Sequence, residues 1–149
     1  MSCDVVVRRM NTDDIRPVAD IELQCFSLPW SENAFEESLK QSYSLFFVAE
    51  CEGVVAGYVG VYHIGDEYDI TNVAVSSAYR RKGIGRRLLE EVELYATLHN
   101  VQAVTLEVRE SNTPAIKLYE AMQYKNIGIR KNFYEKPTEN AIIMVRQFL

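Results

Sequence analysis

The sequence predicts one α/β domain with a mixed, mostly antiparallel sheet and flanking helices, on three observations. Apolar runs meet at the turn pairs Glu52-Gly53 and Gly65-Asp66, which read as connections between consecutive antiparallel strands. Apolar residues recur at helical spacing in separate stretches between those strands and the rest of the chain. The third observation is a strand, a glycine loop, a helix and another strand in succession from Tyr68 to Val108, a crossover that makes one strand pair parallel. With 149 residues the chain suits one domain that can bury a core, and no repeat, linker or low-complexity tract divides it.

Val5 to Met10 reads as the first strand. Thr12 then starts a helix with Asp13 and Asp14 in its first turn, where acids complement the positive helix end, and Ile15, Val18, Ile21, Cys25 and Phe26 give the apolar face. Leu28-Pro29-Trp30 interrupts it, and Ser31 caps a second short helix through Leu39. Leu45 to Ala49 and Val54 to Tyr62 form a hairpin, followed by the strand Tyr68 to Val75. A helix from Gly83 to about His99 turns Ile84, Leu88, Val92, Tyr95 and Ala96 inward and leaves a charged outer face. Ala103 to Val108 reads as a buried strand, and Thr113-Pro114 supplies a cap and a first-turn proline for a helix through Met122. Tyr124 to Ile129 and Ala141 to Phe148 close the chain as two strands around a polar loop from Arg130 to Asn140.

A net charge of −5 argues against a non-specific nucleic-acid binder, which needs a basic face to displace counterions. Cys3, Cys25 and Cys51 are odd in number and widely spaced, so neither a disulfide framework nor a zinc site is expected, and a reducing cytoplasm is the simplest home. The apolar run Val5 to Val7 is too short for a signal peptide or a membrane span. The expectation is a soluble cytoplasmic protein without a metal and without a nucleic-acid or membrane partner.

Against that acidic background, positive charge gathers at Arg80, Arg81, Lys82 and Arg86 around Gly83-Ile84-Gly85. Two glycines one residue apart permit a tight turn that presents consecutive N–H groups to an anion, and the following helix adds its positive end. The segment reads as a pyrophosphate cradle. A dinucleotide fingerprint fails because Leu88 stands at the third glycine position, and no G-x-x-x-x-G-K-[ST] loop occurs. What remains, R-x-x-G-x-G after the strand Asn72-Val73-Ala74-Val75, resembles the acetyl-coenzyme A signature of the Gcn5-related N-acetyltransferase (GNAT) superfamily. The resemblance implies the acyl-CoA N-acyltransferase fold and acetyl-CoA as co-substrate. It also implies main-chain contacts from Val73, Ala74 and Val75 to the acetyl carbonyl and pantetheine arm, where two strands splay apart.

Acetyl transfer from a thioester to an amine needs a proton acceptor, a stabilised oxyanion and an accommodated thiolate. Glu107 ends a strand near the crevice where ligands collect, so it either accepts a proton or pairs with Arg109 as an exposed acid. Tyr119 lies among Ile116, Leu118 and Met122, and taken alone it reads as a core aromatic. The runs Leu106 to Asn112 and Ala115 to Glu120 resemble the bacterial ribosomal-protein-alanine N-acetyltransferase (RimI) family. That likeness implies Glu107 as proton acceptor, Tyr119 as proton donor and Asn112 as a cofactor contact.

Phe26 with Leu28 to Glu32, and Arg130 to Tyr134 with Ala141 to Met144, resemble the same family's first helix–loop–helix and closing hairpin. By this likeness Phe26, Pro29 and Trp30 face Tyr134 across a peptide groove, although Trp30 and Tyr134 taken alone also read as packing residues. Phe133 stands where the family has a second tyrosine and Asn140 where it has an acid. His63 and His99 sit in no motif. The expected activity is acetylation of a protein N-terminal α-amine, by likeness that of a ribosomal alanine, through direct attack in a ternary complex. A lysine ε-amine or small polyamine is the alternative acceptor, and a non-catalytic acyl-CoA-binding module is the alternative of another class.

Overall fold

The computed structural model describes residues 4–148. Its strands are β1 (Val5–Arg9), β2 (Ser44–Cys51), β3 (Val54–Ile64), β4 (Glu67–Val75), β5 (Ala103–Arg109), β6 (Lys125–Tyr134) and β7 (Glu139–Gln147). The helices are α1 (Ile15–Cys25), α2 (Glu32–Leu39), α3 (Ile84–Leu98) and α4 (Thr113–Ala121). The strands form one seven-stranded sheet in the order β1-β2-β3-β4-β5-β7-β6, antiparallel everywhere except between β4 and β5. The α/β class, the mixed sheet and the element order agree with the sequence reading.

Both faces of the sheet are covered, which explains why β2 reads as a continuous apolar run. Its Leu45, Phe47, Ala49 and Cys51 join Ile84, Leu88, Leu89, Val92 and Ala96 of α3 in one core. The alternating Phe46 and Val48 join Val18 and Ile21 of α1 and Phe35 of α2 in the other. Trp30 packs on that second core, its ring 5.2 Å from Phe35.

Several expectations are corrected. The first helical turn is capped from Asn11, whose side chain accepts from Asp13 N while Asp14 returns to the Asn11 amide, a capping box one residue before Thr12. Helix α4 is capped by Asn112, which accepts from Ala115 N, and not by Thr113. The segment read as a polar loop is mostly strand, and only residues 135–138 connect β6 to β7. The strand read over Tyr124 to Ile129 thus extends to Tyr134; this second half of β6 lies at the sheet edge and is mostly polar and exposed, so Arg130 to Asn132 read as loop. Cys51 is disulfide-bonded, whereas Cys25 is free. Spacing along a chain carries no trace of a single bridge, which depends only on which segments fold side by side.

Strand β4 is irregular in two places. Gly60 pairs with Asn72 and Val61 with Ile70, so Thr71 is an extra residue that bulges the strand. Gly60 permits the bulge, because a Cβ there would stand 2.5 Å from a ring carbon of Phe46 and 2.7 Å from Thr71 Oγ1. Pairing between β4 and β5 stops at Asp69 with Thr105, although both strands continue. Beyond that rung the two strands part, as the splay expected from the resemblance requires.

Candidate active site

A cavity of about 410 Å³ opens where β4 and β5 separate. Glu107 and Tyr119 both line it, together with Val73, Asn112, Phe26, Trp30 and Tyr134. Ala74, Val75, Pro29 and the loop from Arg80 to Arg86 are not among its walls. The sequence-predicted catalytic residues and, of the acceptor-side residues, Phe26, Trp30 and Tyr134 therefore line one cavity, whereas Pro29 does not and the cradle lies at the start of α3.

Glu107 does not pair with Arg109. Its Oε1 lies 3.5 Å from Nε of Arg130 on β6, a long and partly exposed contact of modest strength. Burial pushes the Glu107 carboxyl above the ordinary carboxylate range, the nearby charge of Asp69 adds to the rise, and Arg130 opposes it. Asp69 is also raised by burial, against a hydrogen bond from Thr105 and the charge of Arg130. A carboxylate pushed upward is a stronger base once ionised, which suits proton removal from an amine.

Tyr119 is 8% exposed, and its hydroxyl has no hydrogen-bond partner among the described residues. It packs on Tyr124 with ring centroids 5.8 Å apart. Burial, with a smaller contribution from Tyr134, pushes its hydroxyl up to about 12. A core tyrosine would be expected to satisfy its hydroxyl, so a cavity-lining one without a partner is poised for a ligand.

Arg109, whose role the sequence left open, organises the wall opposite α1. Its guanidinium donates to the carbonyls of Glu135 (2.8 Å) and Pro137 (2.9 Å) and to Oε1 of Glu139 (3.1 Å), and lies 4.5 Å from the Tyr134 ring centroid. Across the cavity, Ser27 Oγ donates to the Glu135 carbonyl at 3.3 Å, so the α1–α2 loop and the β6–β7 tip touch. These two segments bound the acceptor side.

Sequence reasoning also missed Glu22, 1% exposed and on the cavity wall. It accepts from Trp30 N at 3.0 Å, from the Tyr58 hydroxyl, and from Nδ2 of Asn72 at 3.2 Å to Oε2. A signal was present: position 22 falls on the apolar stripe of α1 with Val18 and Cys25, where an acid must have buried partners.

In the cradle, Gly83 is the N-cap of α3 at φ +75, the left-handed region, and the preceding Arg81 is at φ +64. Arg81 and Lys82 carry no ion pair among the described residues, Arg86 sits 3.7 Å from Glu90, and Arg80 folds back to donate to Val75 O at 3.3 Å. The charge offered to an anion thus comes from Arg81, Lys82 and the amides at the start of α3. This fits a pyrophosphate. Gly83→Val is expected to cost roughly 1–2 kcal/mol through the left-handed backbone and to weaken acetyl-CoA binding. No atom lies within 4 Å of a Cβ built there, so the effect is conformational. Gly85→Ala is the folded control, its Cβ meeting Leu118 Cδ2 at an ordinary 3.5 Å. Titration calorimetry with acetyl-CoA checks both, and unchanged affinity in folded Gly83→Val would remove the cradle assignment.

The sheet order and the parting of β4 from β5 are those that the resemblance to acyl-CoA N-acyltransferases implies. Residues 15–124 match the acetyltransferase (GNAT) family, and the chain belongs to it. It is 34% identical over 142 residues to the ribosomal protein bS18-alanine N-acetyltransferase of Escherichia coli, covering 93% of this chain and 94% of that protein. The crystal structure of the ribosomal-protein-S18-alanine N-acetyltransferase from Escherichia coli superposes with a TM-score of 0.90 at 32% identity, covering 97% of this chain and 94% of that one. Arabidopsis thaliana NAA60, solved in complex with acetyl-CoA, shares the fold with a TM-score of 0.88 at 20% identity, covering 97% and 100%.

Proposed function

We propose that the protein transfers the acetyl group of acetyl-CoA to the α-amine of a protein N-terminus, that of a ribosomal protein beginning with alanine. The observation that carries the reading is the convergence of Glu107 and Tyr119 in one cavity between the α1–α2 loop and the β6–β7 tip. Similarity to the Escherichia coli enzyme over nearly the full chain supports the acceptor. A soluble cytoplasmic setting fits a ribosomal acceptor, and no helix among the described residues is long and apolar enough to cross a membrane.

In this reading acetyl-CoA lies with its pyrophosphate at Arg81, Lys82, Gly83 and the amides from Ile84 to Arg86, and its pantetheine arm along Val73, Ala74 and Val75. Asn112 borders the same cavity. Its Oδ1 is used in capping α4, so Nδ2 is the group left for the cofactor. The peptide enters between Phe26 and Trp30 on one side and Tyr134 on the other, with Pro29 shaping the loop. Glu107 takes one proton from the ammonium group, the freed electron pair of nitrogen attacks the thioester carbonyl, and a backbone N–H near Val75 steadies the oxyanion; as the C–S bond breaks, Tyr119 donates a hydrogen bond to the departing sulfur and the second proton of the nitrogen passes to that thiolate, so that coenzyme A leaves as the thiol. An α-amine titrates near ~8 and a lysine ε-amine near ~10.4, so a single moderately raised carboxylate suits the former better.

Coenzyme A release tests the proposal. An alanine-started peptide is expected to be turned over, and the same peptide blocked at its α-amine is not. Preferred turnover of a lysine side chain or polyamine would overturn the acceptor, and no release with any amine would overturn the catalytic reading.

A further inference from the structure

The wall that faces α1 across the cavity is anchored to β5 through Arg109. Tyr134 with Glu139 is the last rung between β6 and β7, so the tip beyond it, residues 135–138, lies outside the sheet. One guanidinium takes both the Glu135 and the Pro137 carbonyl, lies over the Tyr134 ring and meets its counter-charge in Glu139. A planar fork with five donors serves separate acceptors and a ring at once, a task that the point charge of a lysine suits less well. Phe133 meets Tyr134 edge to face, with ring centroids 5.1 Å apart. The other oxygen of Glu139 accepts from Ser111 N at 2.6 Å, next to Asn112, the N-cap of α4. The acceptor wall is thereby tied to the helix that carries Tyr119. The Arg109 and Glu139 side chains are only 25% and 15% exposed, so water and salt screen their pairing less than at an open surface. None of the hydrogen bonds of Arg109 goes to Glu107 or Tyr119.

We propose that Arg109 is a positioning residue that selects polypeptide acceptors: it holds Tyr134 and the β6–β7 tip as a wall that a peptide touches and a small amine does not. The inference deepens the acetyl-transfer reading and rests on it. A small amine needs only Glu107 and the thioester, whereas the residues that follow the first one of a peptide lie along the acceptor wall. Freed from Arg109, the tip would have to be ordered each time a peptide binds, and that cost falls on affinity. Contacts kept equally in the ground and transition states set KM and leave kcat alone. Arg109 therefore governs which amine is bound, and Glu107 and Tyr119 govern what happens to it.

The test compares an alanine-started peptide with alaninamide as acceptors, by coenzyme A release. Arg109→Gln is expected to raise the peptide KM roughly tenfold, about 1.4 kcal/mol, with kcat nearly kept, and to change kcat/KM for alaninamide by no more than about twofold. Arg109→Lys, which keeps the charge and loses the fork, is expected to stay near the glutamine variant. When Tyr134 is already alanine, most of the loss from Arg109→Gln is expected to be absent, because the two side chains act as one unit. Glu139→Gln is expected to give the same selective loss to a smaller degree, so a folding defect in the Arg109 variants leaves it to decide. Equal losses for both acceptors, a loss in kcat alone, full recovery by lysine, or additive losses with Tyr134→Ala would each overturn the inference. If the wild type releases coenzyme A with no amine, it is the catalytic reading that fails. Calorimetry of the peptide on the coenzyme A complex then still reads Arg109, and unchanged peptide affinity in Arg109→Gln would overturn its role.

Discussion

Glu107→Gln is expected to lower kcat by roughly 10²-fold or more while leaving acetyl-CoA affinity intact, the lower end of a usual acid–base contribution. The amide keeps the shape of the side chain and loses its proton affinity. In the wild type the acid limb of the pH–rate profile follows Glu107, whose carboxyl is raised by burial and Asp69 against Arg130, so activity falls as pH drops through that raised value. The variant lacks this limb, and its rate rises with the fraction of neutral amine. The defect therefore shrinks as pH passes the α-amine value near ~8. A series from about pH 6 to 9.5 checks it, and parallel profiles would exclude the base role.

Stability separates this from a structural defect. A carboxyl raised in the folded state binds its proton more tightly there than in the unfolded chain, so the fold is stabilised by that proton at low pH. That contribution disappears as pH rises from the unfolded value through the raised one. At neutral pH the ionised group is thus a liability, and Glu107→Gln is expected to melt no lower than the wild type. A lower melting temperature with a pH-independent loss of rate would instead assign Glu107 to structure through its contact with Arg130.

The elements most legible in the sequence were those whose signal is local. Ser31 caps α2 as read, since a serine oxygen accepting from Ala34 N needs only four consecutive residues. The cradle was legible for the same reason, because Gly83 and its basic neighbours are contiguous. The cavity was legible only through resemblance: Glu107 and Tyr119 meet because β4 leaves β5 after Asp69, and a strand's partner is not written in its own residues. The first half of β6 was read from Tyr124 to Ile129, and only its polar continuation from Arg130 to Tyr134 at the sheet edge was missed. Glu22 had a readable sign, an acid on a buried stripe, whose partners Tyr58 and Asn72 become visible only when α1 is laid on the sheet.

Tyr119→Phe is expected to lower kcat by roughly 10²-fold, and the loss is expected to be flat from about pH 6 to 9.5. The flatness comes from burial. With the hydroxyl pushed up to about 12, it stays protonated across that range, so no ionisation of Tyr119 enters the profile. The same shift bears on how it is expected to act. A thiol titrates near ~8.5, below a tyrosine, so handing over the proton completely would run uphill. A hydrogen bond that strengthens as charge develops on sulfur needs no such transfer, and a preorganised donor in a water-poor cavity is worth about 3–4 kcal/mol to a transition state. Phenylalanine keeps the packing on Tyr124, so acetyl-CoA affinity and melting temperature are expected to hold. The contrast with Glu107→Gln is the decisive measurement: one defect closes with rising pH and the other does not. A Tyr119→Phe defect that widened at high pH would show the hydroxyl ionising, and would make Tyr119 a proton acceptor in place of Glu107.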